Sequence, residues 1–134
     1  MKQIVYNQVT CLECNEVLVS HHRHDYKVCS CPNRAMADGG TAYLRYGAVD
    51  MSMIKIFAVY DDDPFEMIRE YAERGGRGLN GDQPLNWVKL KDMDDDWLEA
   101  ILDYGGPEWH INLMKREIEY RKINKDESAK ENGQ

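Results

Sequence analysis

The sequence predicts an α+β chain: a small β unit at the N-terminus followed by a small mixed body with about three helices. Three observations predict it. Short β-rich runs crowd the first fifty residues, four cysteines fall on the turns between those runs, and helical periodicity begins only after residue 63. The chain has 134 residues, 43% of them apolar, which suffices for a core and excludes global disorder. No apolar run approaches the roughly 18 residues of a membrane span, and the start, MKQIVYNQVTC, lacks the apolar stretch of a signal peptide. The expectation is a cytoplasmic protein with no membrane partner.

The first elements are strands. Residues 4–9 (IVYNQV), 16–20 (EVLVS) and 26–29 (YKVC) are short and rich in β-branched side chains. Gly39-Gly40 breaks the chain, and 41–46 (TAYLRY) fits a strand or one helical turn. Residues 53–60 (MIKIFAVY) form the longest apolar run and read as a buried strand. Asp61-Asp62-Asp63 before Pro64 reads as a helix cap, with Phe65, Ile68 and Ala72 at helical spacing and Gly75-Gly76 as the stop, so a helix is expected over 64–74. A glycine-rich loop (75–84) and a strand (85–90) follow. Asp94-Asp95-Asp96 opens a second helix with Trp97, Leu98, Ile101 and Leu102 on one face. Gly105-Gly106-Pro107 separates it from a third, over 108–123, striped by Ile111, Met114 and Ile118. Residues 124–134 carry almost no apolar side chain and read as a disordered tail. The expected organisation is 1–50, 51–123 and that tail.

Chemistry concentrates in the cysteines. Cys11, Cys14, Cys29 and Cys31 lie within 21 consecutive residues as C-x2-C and C-x-C. Two turns, each offering two thiolates, meet the demand of Zn²⁺ for four soft ligands in a tetrahedron. A closed four-thiolate site builds structure and leaves no position for a catalytic water. The first fifty residues therefore read as a zinc-ribbon-like unit with a structural zinc. Disulfides are disfavoured in a reducing compartment. His22 and His24 are alternative ligands, although the polar stretch Ser20-His21-His22-Arg23-His24-Asp25 reads better as an exposed hairpin tip.

In order, Cys11-x-x-Cys14, Ser20 to Tyr26, Cys29-x-Cys31, Asp38-Gly39-Gly40 and Tyr43-Leu44-Arg45 resemble a group of small zinc-ribbon proteins of bacteriophages, over about residues 1–47. The stretch from Gln83-Pro84-Leu85 through the Trp97–Tyr104 and Trp109–Lys122 helices is also similar to a recurring phage segment. The resemblance implies a phage origin and an accessory role in infection, and it assigns no catalytic residue.

Three further sites are set against plainer readings. Arg74, Gly76, Arg77 and Gly78 fit an anion nest, where backbone N–H groups converge on a phosphate; a flexible connector fits the same residues, and no Gly-Lys-Ser/Thr follows to make a nucleotide loop. Trp97 and Trp109, with Asp95 and Asp96 beside them, have the composition of a partner-binding surface, or of a helix pair's core. Arg23, Arg34 and Arg45 alternate with Tyr26, Tyr43 and Tyr46, which suits nucleic acid across 20–46, or a small core with its cations at the rim. Residues 1–50 hold five basic and five acidic side chains, whereas 51–134 hold twelve and nineteen, and the chain totals -7. That balance disfavours duplex DNA. The combined expectation is an accessory protein that binds a host protein in the infected bacterial cytoplasm, as an inhibitor of a defence system, more a binding protein than an enzyme. The alternatives are a nucleic-acid-binding zinc ribbon and a protein that binds or sequesters a nucleotide at the Gly/Arg loop.

Overall fold

The computed structural model describes residues 2–77 and 80–132. The chain divides into two compact units, Met1–Glu73 and Arg74–Gln134. It mixes three helices with small antiparallel sheets, so the α+β expectation holds. No helix among the described residues is long and apolar enough to cross a membrane.

In the first unit, β1 (Ile4–Cys11) is central to a three-stranded sheet between β2 (Val17–Val19) and β6 (Ile54–Tyr60). Its burial alternates, as a strand with one core face requires. A second sheet orders β3 (Lys27–Val28), β4 (Met36–Asp38) and β5 (Arg45–Gly47). Helix α1 (Phe65–Tyr71) belongs to the same unit. Tyr6 and Phe57 on the first sheet meet the ring of Tyr71 at 5.2 and 4.8 Å between centroids. The core joins Val9, Cys11 and Leu18 to Cys29, Ala35 and Ala37, with Ile54 packed against it.

Several boundaries differ from expectation, each for a local reason. The division expected at residue 50 falls after Glu73, because β6 pairs with β1 along nearly its whole length, from Ile54 opposite Cys11 to Tyr60 opposite Ile4. The strand read as buried over 53–60 is the edge of its sheet, and Val59 is its one buried residue. The aspartates before α1 do not cap it. Asp61 accepts from the Gln3 amide at 3.0 Å and Asp63 from the Tyr60 amide at 2.8 Å, so they pin the turn out of β6. α1 stops at Ala72, ahead of Gly75-Gly76.

In the second unit those glycines lie in a strand, β7 (Glu73–Gly76), which pairs with β8 (Asn86–Lys89). Helices α2 (Asp95–Tyr104) and α3 (Glu108–Asn132) pack on each other and bury Leu98, Ile101, Leu113 and Met114. α3 runs past the expected end at 123 into the stretch read as tail. Lys, Glu and Ala are good helix formers, and no Gly or Pro interrupts before Gly133.

Candidate metal centre

Both thiol pairs sit on tight hairpin loops. In the first, the Cys11 amide bonds to the Glu16 carbonyl at 3.0 Å and the Asn15 amide to the Cys11 carbonyl at 2.8 Å. Asn15 closes the turn with φ 63°, a left-handed conformation that asparagine tolerates. In the second, the Cys29 amide bonds to the Ala35 carbonyl at 2.9 Å and the Arg34 amide to the Cys31 carbonyl at 3.1 Å, with Arg34 at φ 49°. The loops share a logic: a strand ends at a cysteine or just before one, the chain turns through a left-handed residue, and the next strand starts.

The two loops bring all four sulfurs within 4.8 Å of one another. Cys31 Sγ lies 3.5 Å from Cys11 Sγ and 3.6 Å from Cys29 Sγ. A disulfide needs about 2.05 Å, and all four cysteines are free thiols. A tetrahedron of sulfurs at the Zn–S distance of about 2.3 Å has edges of about 3.8 Å. The observed spacing needs only small adjustments to reach it. Cys11 and Cys29 are buried, Cys31 is half-buried and Cys14 is exposed, so the cluster sits at the rim of the core.

Backbone amides prepare these sulfurs for negative charge. The Cys14 amide on the Cys11 sulfur, helped by that of Glu13, lowers the Cys11 thiol to about 6. Burial pushes Cys31 up to about 12, and the neighbouring thiols add to that. One thiolate with its charge stabilised beside a sulfur that burial keeps protonated is a pair that a bound cation would equalise. The Ala35 amide donates to Cys29 Sγ at 3.1 Å. Asn33 supports the site from behind: its Nδ2 points at Cys11 Sγ at 3.9 Å, while its Oδ1 accepts from the Asp50 amide at 2.7 Å. Sequence reading missed Asn33. Its signal was its place between Cys31-Pro32 and Arg34, on the loop that must turn.

The histidines lie elsewhere. Among the described residues the metal-binding group comprises the four cysteines without His22 or His24. His22 Nδ1 faces the Arg23 carbonyl at 3.1 Å, and His24 Nδ1 meets the Tyr43 hydroxyl at 2.8 Å. His21 lies 3.3 Å from Glu73 Oε1.

The other predicted residues are dispersed. Arg74 Nη1 bonds to His110 Nε2 at 2.6 Å, and Gly76 lies within β7. A β-carbon on Gly76 would stand 3.0 Å from the Trp97 ring, and one on Gly75 3.3 Å from the Trp87 ring. These glycines make room for indoles. Gly78 lies outside the described residues, and the Arg77 carbonyl accepts from the Gln83 amide at 2.9 Å. Trp97 and Trp109 are both partly buried, and Trp109 packs edge-on against His110. Asp95 takes Arg121 at 2.7 Å, and Asp96 is exposed.

No curated protein and no solved structure matches the chain. Over residues 3–48, the stretch that carries both thiol hairpins and ends before β6, the chain matches the family model of a domain of unknown function (DUF7695).

Proposed function

We propose that the four cysteines hold one structural Zn²⁺ and that the chain is a zinc-stabilised accessory protein of a bacteriophage. In this reading it binds a host protein in the cytoplasm of the infected bacterium, as an inhibitor of a defence system. The observation that carries the metal is the convergence of four sulfurs from two hairpins within 4.8 Å. Thiolates select zinc over the hard cations Mg²⁺ and Ca²⁺. Four protein ligands fill a tetrahedron, so the ion would supply folding energy and no activated water. That chemistry favours a binding role over catalysis. The phage resemblance over residues 1–47 and the net charge of -7, which suits a basic protein surface, support a protein partner.

Two measurements test the reading. Elemental analysis of chain purified under reducing conditions should give about one zinc per chain. A pull-down from infected cells, repeated after nuclease treatment, should retain a host protein that then binds the purified zinc-loaded chain. A folded but metal-free chain overturns the zinc, and capture that vanishes with nuclease overturns the protein partner.

A further inference from the structure

The sequence count makes residues 1–50 neutral, but folding separates the charges. Between residues 21 and 47 the acids are Asp25 and Asp38, set against Arg23, Lys27, Arg34 and Arg45. Both acidic side chains turn inward, 12% and 6% exposed. Asp25 accepts from the His21 amide at 2.8 Å, and Asp38 from the Gly39 amide at 2.9 Å. Arg45 is 67% exposed, Tyr26 54%, and Arg23 is exposed too. The outer surface of this stretch is therefore cationic and aromatic, with its carboxylates used as internal supports.

Asp38 organises that surface. It stands directly opposite Arg45 in the β4–β5 ladder, and Arg45 Nη1 lies 3.5 Å from its Oδ2. The Tyr43 hydroxyl donates to the same oxygen at 3.5 Å and lies 2.8 Å from His24 Nδ1. His24 has φ 64°, and its carbonyl accepts from the Tyr26 amide at 3.0 Å. This chain of contacts fixes the tip that carries Arg23 and Tyr26 relative to Arg45. The Gly40 backbone adds to the clamp: a β-carbon there would fall 2.4 Å from the His22 backbone.

We infer that this face, formed by Arg23, Tyr26 and Arg45 around the Asp38–Tyr43–His24 support, binds single-stranded nucleic acid. Arg45 and Arg23 contact phosphates, and the exposed Tyr26 ring stacks on a base. Stacking needs a base free of its duplex, and two or three cations are too few to hold a duplex against the chain's acidic total. The inference does not depend on the proposed protein partner.

The test uses the zinc-loaded full chain and fluorescein-labelled single strands of DNA and RNA of about 12 nucleotides, with a matching duplex and polyglutamate as comparisons. Anisotropy titrations should show single-strand binding that weakens about 7-fold between about 50 and 200 mM salt, as two phosphate contacts require. Tyr26→Ala should weaken it about 10-fold at both salts. Arg45→Gln should also reduce the log–log salt slope by about 0.7. Lys115→Gln, on α3, should change nothing. Unchanged circular dichroism and zinc content establish that each variant is folded. No binding at the lower salt, equal binding by the duplex, equal binding by polyglutamate (which would make the ligand an acidic protein segment), or indifference to both face variants would each overturn the inference.

Discussion

Arg121 Nε donates to Glu117 Oε2 at 2.6 Å, one turn apart on α3, and the Glu117 side chain is wholly buried. The same guanidinium reaches the Leu90 and Lys91 carbonyls at 3.1 and 3.2 Å and Asp95 at 2.7 Å. It therefore ties α3 to the turn after β8 and to the start of α2. Arg121→Met removes this cation from a carboxylate that solvent does not reach, and should cost about 3–5 kcal/mol. Asp95 is 84% exposed, so Asp95→Asn should cost less than about 1 kcal/mol. Pairing Arg121→Met with Glu117→Leu should restore much of the loss, because the buried charge is then absent. Urea unfolding of the four proteins checks this, and equal costs for the two single variants would refute it.

Metal removal should unfold more than the hairpins. Cys11 ends β1, and β1 carries both β2 and β6. Losing the ion should therefore release residues 1–73 rather than 1–50. Chelation, or Cys14→Ser, should abolish slow hydrogen exchange along β1 and β6 together, whereas His22→Ala should leave it intact. Protection surviving in β6 after zinc loss would show that the first sheet stands without the metal.

The cysteines were legible because a metal site needs residue type and spacing, and both are local. Strands β1, β2, β3, β6 and β8 were legible as short β-rich runs, whereas β4 (Met-Ala-Asp) and β7 (Glu-Arg-Gly-Gly) carry no such run and were not. Edges were not: MIKIFAVY reads as buried, yet only pairing order shows that, among the described residues, no further strand pairs with β6. The Gly75-Gly76 pair was misread because a helix stop and a seat for two tryptophans have the same local sequence, and only the fold brings Trp87 and Trp97 there. Asp25 and Asp38 illustrate the same gap in electrostatics. A sequence sums charges, while the structure decides which of them reach the surface.

His110 gives the second unit a pH dependence with a definite sign. Burial, with the nearby Arg74 guanidinium adding to it, lowers this imidazole from 6.5 to about 4. The folded unit therefore keeps it neutral, accepting from Arg74 at Nε2. Above pH 6.5 neither state binds the proton, and stability does not depend on this group. Between 6.5 and about 4 the unfolded chain is protonated while the folded one is not, so stability falls as pH falls. All three tryptophans, 87, 97 and 109, lie in this unit, so indole fluorescence reports its unfolding alone. Melts from pH 7 to 4.5 should show a smaller decline for His110→Gln than for the unaltered chain. Parallel declines would remove His110 from the acid sensitivity.

Gly76 and Trp97 should behave as a coupled pair. A methyl group at Gly76 enters the space of the Trp97 ring, 3.0 Å from two of its carbons. Overpacking of this kind costs about 1–3 kcal/mol. Gly76 has no left-handed backbone demand, so without the ring the same change should be neutral or stabilising by up to about 1 kcal/mol, through the lower entropy of the unfolded chain. Trp97→Ala alone should cost about 3 kcal/mol if the indole packs as structure, and nearly nothing if it serves only a partner. The double-mutant cycle separates the cases, with Trp87 and Trp109 as remaining reporters. A Gly76→Ala cost that reverses sign in the Trp97→Ala background places the indole in the fold of the second unit. Additive costs would mean that the ring and the glycine do not press on each other, and Trp97 would return as an anchor for a bound protein.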